Sequence, residues 1–225
     1  MYRIVTDKSI LIGDEKLVKR EDWIPLSEMN TDIKILTHKM FDDAFDKIVK
    51  EHKPKHDVVF LSLCTSTRPY HLGRKWKTYM DEFSGKADLI VTSSGGIIPQ
   101  AYWNSFPYLN YDGDSAKIAN KLYAEKMEQR LLKFFKTHKY RYAIANFRPK
   151  LRNTPVVTKV FAELKEQGYV EDYIIVPSEQ EYLELQERGF PGGKMYPDLD
   201  EKIFEHLRYK VNNLSKFIHS SVHLF

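Results

Sequence analysis

The sequence is short of cysteine, of long apolar runs and of charge of one sign, and each shortage closes off a class of protein. Its 225 residues include a single cysteine, Cys64, so no disulfide can form within the chain. No apolar run approaches the roughly 20 residues that a membrane-spanning helix needs, and the opening MYRIVTDKSI lacks the basic-then-apolar segment of a secretion signal. A cytoplasmic protein with no membrane association is expected. The eight histidines (His38, His52, His56, His71, His138, His206, His219 and His223) show no metal-ligand spacing with Cys64, which argues against a zinc site. The glycine pair Gly95-Gly96 matches neither a P-loop nor a dinucleotide fingerprint, and no cofactor is expected. Thirty-five Lys and Arg against 31 Asp and Glu leave a net charge of +4, so any contact with nucleic acid must come from a local patch. Internal repeats, low-complexity tracts and long linkers are absent as well.

What is present is the composition of a folded protein, 42% hydrophobic and 29% charged, long enough for one sizeable domain plus something small. Residues 1–36 carry two short β-like runs, Tyr2-Arg3-Ile4-Val5 and Ser9-Ile10-Leu11-Ile12, with a Gly13-Asp14 turn, and read as a small β-containing N-terminal appendage. From residue 37 helix and strand alternate, and 37–225 reads as one α/β domain. Met40, Phe41, Ala44, Phe45, Ile48 and Val49 recur at helical spacing over 38–51. Four apolar runs follow, centred on Val58 to Leu63, Leu89 to Val91, Tyr142 to Ala145 and Tyr173 to Val176. Runs without polar alternation suit strands covered on both faces, as in a parallel sheet between helices. A helix over 115–137 places Ile118, Leu122, Met127 and Leu131 on one side. In the next, Asn153 or Thr154 can cap, Pro155 fits the first turn and Gly168 ends it. A final helix is expected from about residue 200 to 217.

In such a sheet, ligands bind beyond the carboxyl ends of the strands, where loops converge and helix N-termini present free amides. The loops there are 64–73, 92–103, 146–152 and 177–180. The first brings together Cys64, three hydroxyls, Arg68, Tyr70 and His71. Cys64 is either a nucleophile or a small buried residue at a strand end. Arg68, held extended by Pro69, can aim at a phosphate or form a surface ion pair. In the second loop Ser93, Ser94 and the glycine pair can line an anion or a base edge, or simply make a tight turn. Beyond it, Tyr111 can stack on a base with Asp112 as general base. In the third, Asn146 and Arg148 can bind substrate. Tyr182 and Tyr209, on helices, read as packing. Arg68, Arg74, Lys75, Lys77, Arg148, Lys150 and Arg152 form the candidate basic patch.

These loops resemble the middle domain of the archaeosine synthase family. That family's signature reads Pro-Cys, three residues, Lys-Pro-Tyr, two residues, Ser, two residues, His; here the stretch is Leu63-Cys64, Thr65-Ser66-Thr67, Arg68-Pro69-Tyr70, His71-Leu72, Gly73, Arg74-Lys75, Trp76. A second landmark, a Val-Thr-Ser strand end, an Ile-Pro step and a Tyr-Pro…Tyr-Asp segment, is similar to Val91-Thr92-Ser93 through Ile98-Pro99 and Phe106-Pro107…Tyr111-Asp112. The resemblance covers residues 55–180 and implies a three-layer α/β/α fold like that of uracil-DNA glycosylase, with four parallel strands in the order 2-1-3-4. It implies a tRNA-modification protein, an enzyme or subunit of the transferase type acting on a 7-deazaguanine base. Cys64, Asp112 and Tyr70 would then be catalytic, and Arg68, Ser93, Ser94, Tyr111, Asn146 and Arg148 would bind substrate. Relatives carry a tRNA-gripping domain, so a partner protein supplying one is expected. Leu63, Arg68, Gly73 and Trp76 replace the family's Pro, Lys, Ser and His, and Arg68 cannot give up a proton at working pH. The alternative is a non-catalytic nucleic-acid or nucleotide binding module.

Overall fold

A strand with an unbroken apolar run must be covered on both sides, and strands built around such runs form the middle of this protein. The computed structural model describes residues 36–37, 39–65, 67–105, 107–108, 120–187 and 205–213; the appendage expected over 1–36 lies outside them except for Leu36. The strands are β1 (Val58–Leu63), β2 (Asp88–Ser93), β3 (Gly96–Pro99), β4 (Tyr142–Asn146) and β5 (Asp172–Val176), arranged in the order β3-β2-β1-β4-β5. β1 is parallel to β2 and β4, and β4 to β5, whereas β3 runs antiparallel to β2. The sheet therefore has five strands, not the expected four. Gly96-Ile97-Ile98-Pro99 folds back on β2 where the sequence reads as loop.

Helices accompany it: α1 (Lys39–Glu51), α2 (Arg74–Phe83), α3 (Asn120–Thr137), α4 (Asn153–Glu166) and α5 (Glu179–Glu187). The steps β1 to β2 and β4 to β5 go in opposite directions across the sheet, and right-handed crossovers then send α2 and α4 to opposite faces. The packing agrees. Phe60 of β1 meets Tyr79 and Phe83 of α2, with ring centroids 4.8 and 5.0 Å apart. Tyr173 of β5, whose neighbour Ile174 is in register with Phe60 through Ile144, stacks instead on Phe161 of α4 at 5.8 Å. α1 and α3 lie with α4, tied by Lys126 and Arg130 to Asp42 at 2.9 and 3.1 Å. Burial works to raise the Asp42 carboxyl, but these two cations hold it below the usual carboxylate range.

Three local expectations need correction. Leu122 points outward at 37% exposure, because Tyr123, Met127, Leu131 and Phe134 take the buried stripe of α3. Neither Asn153 nor Thr154 caps α4: the Asn153 amide donates to Tyr123 and the Thr154 hydroxyl to the Arg148 carbonyl. Tyr209, in the helical stretch 205–213, is 64% exposed, whereas Tyr182 is packed as expected. Gly168 does end α4, at φ +74°, a conformation that side chains disfavour.

At the amino end of the strands a saturated polar network joins three elements. Asp88, the first residue of β2, accepts hydrogen bonds from the Lys55 backbone N–H (2.9 Å), His56 Nδ1 (2.8 Å) and Tyr140 Oη (3.0 Å). Tyr140 Oη in turn accepts from His52 Nε2 at 2.8 Å. Burial, with His138 beside it, pushes His52 down to about 4. Burial and the Asp88 carboxylate hold the Tyr140 phenol above its usual range. Both groups are thus neutral at neutral pH, and the Tyr140 hydroxyl is committed as a donor to Asp88.

Candidate functional site

At the other end of the sheet the register decides which side chains meet. Ser62 of β1 is paired with Val91 of β2 and with Asn146 of β4. Side chains alternate along a strand, so Ser62, Asn146 and Phe60 share the face covered by α2. The Cys64 N–H donates to the Thr92 carbonyl at 3.0 Å, which carries the ladder past β1 and places Cys64 on that same face, half-buried. Residues about 80 positions apart in sequence thus leave the sheet on neighbouring strands, with α2 and α4 departing to opposite sides. This is the geometry of a switch-point crevice.

Asn146 is the centre of this end. It is 1% exposed, and its Nδ2 donates to Tyr79 Oη of α2 at 2.5 Å. Its carbonyl accepts from Ser62 Oγ at 3.2 Å. Its Oδ1, fully buried, accepts no hydrogen bond among the described residues. One helical turn before Tyr79, Lys75 is 6% exposed with Nζ 5.9 Å from the Tyr79 ring centroid. Sequence reasoning placed Lys75 only in a surface patch and missed Tyr79 altogether. The signal was there, since Lys75, Tyr79 and Phe83 lie at i, i+4 and i+8 on one stripe.

The loop after β1 is built inward. Tyr70 has no exposed surface; its ring centroid lies 5.9 Å from Trp103 and 6.5 Å from Trp76, and the Arg68 guanidinium lies 5.4 Å away over the same ring. The structure thus places Tyr70 inside the core, between two tryptophans and a guanidinium. Trp76 donates from Nε1 to the Leu63 carbonyl at 3.2 Å. Gly73 stands at the cap of α2 without a side-chain bond, and a Cβ there would meet Thr67 Cβ at 3.2 Å and the Tyr70 carbonyl at 3.3 Å. A serine at this position would fit only if the loop gave way.

The stretch after β2 folds back as a hairpin. Ser93 pairs with Gly96, Ser93 Oγ accepts from the Gly95 N–H at 3.0 Å, and Gly96 takes φ +147°. Ser94 is 1% exposed and its carbonyl accepts from Arg130 at 2.8 Å. Ser93 and Ser94 are thus buried at a tight turn. After β5, Ser178 and Glu181 form a capping box for α5, with bonds of 2.7 and 3.3 Å. Tyr111 and Asp112 lie outside the described residues.

Of the basic patch, Lys75 is buried, Lys77 is tied to Asp81 at 2.7 Å, and Arg152 lies 4.3 Å over the Tyr123 ring. Arg74, Arg148 and Lys150 engage no acid among the described residues, and Arg148 and Lys150 leave the end of β4 just ahead of α4. Among the described residues no helix is long and apolar enough to cross a membrane, and no three His, Cys, Asp or Glu side chains gather as a metal site would require. The arrangement offers a thiol, an amide with a vacant acceptor, a buried ammonium and outlying guanidinium groups.

Comparison with known proteins adds a fold and a family. No curated protein matches the chain. A solved structure described as "Crystal structure of AF0587, a protein of unknown function" is similar with a TM-score of 0.50 at 14% identity, over 74% of this chain and 48% of its own. This chain thus spans about half the length of that one. A family pattern covers residues 39–184, all five strands and nearly all of the helices α1 to α5, and by it the chain belongs to the family "Domain of unknown function (DUF5591)".

Proposed function

We propose that the protein acts in tRNA modification on a 7-deazaguanine base, as an enzyme or enzyme subunit of the archaeosine synthase type, in an α/β/α domain of the uracil-DNA glycosylase kind. The observation that carries this reading is the convergence of Cys64 and Asn146 on neighbouring strands at the carboxyl end of the sheet. In the chemistry that suits a thiol there, the Cys64 sulfur bonds to the carbon of a base nitrile and its proton ends on the nitrile nitrogen, giving a thioimidate. A primary amine then adds to the same carbon, the C–S bond breaks, and thiol and amidine are released. Arg148, Lys150 and Arg74 hold the phosphates of the RNA, and a partner protein supplies further tRNA contacts.

Nucleoside mass spectrometry of tRNA from cells with and without the protein tests this. A modified 7-deazaguanosine should fall in its absence, with the nitrile precursor accumulating, and unchanged tRNA would end the proposal. A second reading, a binding module without catalysis, draws on Arg68 and Trp76 standing where the related family has Lys and His. It predicts that Cys64→Ser restores the modification as well as the parent chain; the enzyme reading predicts that it does not. RNA binding should weaken with rising salt and fall further in Arg148→Glu.

A further inference from the structure

Resting on that reading of the crevice, we infer that Asn146 reads the lactam edge of the base by accepting its ring N–H. Asn146 Oδ1 is a fully buried acceptor with no hydrogen bond among the described residues. Leaving such an acceptor unsatisfied costs stability. The amide is not loosely placed: Tyr79 holds its Nδ2 at 2.5 Å, and the main chain beside it is in register with Ser62 and Val176. A rigid amide with a vacant oxygen accepts an N–H from a ligand. The ring N–H of a lactam is such a donor, and methylation of that nitrogen removes it.

The register adds the orientation. Cys64 lies two residues beyond Ser62, the partner of Asn146, and on the same face, roughly 7 Å further along the strand direction at about 3.3 Å per residue. A bicyclic base that sets its lactam edge on Asn146 and extends along the strand brings its far substituent toward the thiol. Recognition and reaction then sit at opposite ends of one ligand.

Calorimetric titration of the full chain with free bases tests the inference directly. 7-Cyano-7-deazaguanine should bind, while its N1-methyl derivative, which lacks the ring N–H, should bind at least tenfold more weakly. Asn146→Leu should lose tenfold or more for the first base, and Asn146→Asp, which keeps an acceptor, should retain it. Equal binding of the two bases by the parent chain, or no binding of either, overturns the inference, and the parent-chain comparison needs no variant to fold. Undiscriminating binding would leave the tRNA-modification reading standing. Unaltered tRNA nucleosides in cells lacking the protein would remove that reading while leaving base selectivity to be judged by titration.

Discussion

The two ends of the parallel sheet are built on opposite principles. At the amino end, Asp88, Tyr140, His52 and His56 are linked by bonds of 2.8 to 3.0 Å, and Asp88 alone gathers three donors from two segments. At the carboxyl end, among the described residues, Asn146 Oδ1 and Ser94 Oγ are buried without a hydrogen bond and Arg148 pairs with no acid. One end spends its polar groups on holding strands together. The other keeps polar groups that cost stability, which is where an incoming ligand has something to gain. His138 Nε2, buried and without a hydrogen bond at the saturated end, is the exception to the pattern.

The comparison breaks first at Asp88. Asp88→Ala strands three donors at once and should destabilise the fold by about 3 kcal/mol or more, read from urea unfolding. A loss below about 1 kcal/mol would mean that the amino-end network is ornamental. Next comes acid. The unfolded chain takes a proton on His52 near pH 6.5, whereas the folded chain resists until about 4, so between these values acidification favours unfolding. His138, also lowered by burial, acts in the same direction. The thermal midpoint should therefore fall as pH drops from 6.5 toward 4, and His52→Gln, which still donates to Tyr140, should flatten that fall.

Smaller effects sharpen the contrast. At the carboxyl end, the double variant Tyr79→Phe with Asn146→Leu removes both partners of a half-satisfied pair and should stay within about 1 kcal/mol of the parent in the same unfolding assay. A penalty as large as that of Asp88→Ala would show that Asn146 is there for stability. Smallest is Gly168→Ala: no atom lies within 4 Å of the added Cβ, so only the φ of +74° opposes it, and the cost should be about 1 kcal/mol.

Much of this organisation was legible in residue order, and its failures have physical causes. The four parallel strands announce themselves because burial on both faces demands unbroken apolar runs. β3 escaped because its four residues begin with Gly96 and end with Pro99, both of which read as loop, while its pairing depends on a turn only two residues long. Cys64, Asn146 and Arg148 could be placed beyond strand ends from the strand assignments alone. The burial of Tyr70 is hidden in the sequence because an Arg-Pro-Tyr segment reads as exposed, whereas Trp76 and Trp103, far apart in the chain, pack beside the ring. Lys75 and Tyr79 are legible only in the i, i+4, i+8 stripe of α2, which sets a lysine among aromatics.

The β2–β3 hairpin also governs how molecules of this protein can meet one another. An outermost strand offers unpaired backbone groups to any other chain, and a parallel sheet of apolar strands is an inviting template for such growth. Here that margin is occupied by a strand of four residues ending in Pro99, which has no N–H to donate and stops the ladder from being copied outward. Stacking of sheets side by side is discouraged on the β3 flank, leaving β5, with Asp172 exposed and tied to Lys165 at 2.7 Å, as the charged opposite margin. The hairpin that reads as a connection thus serves as a guard against aggregation.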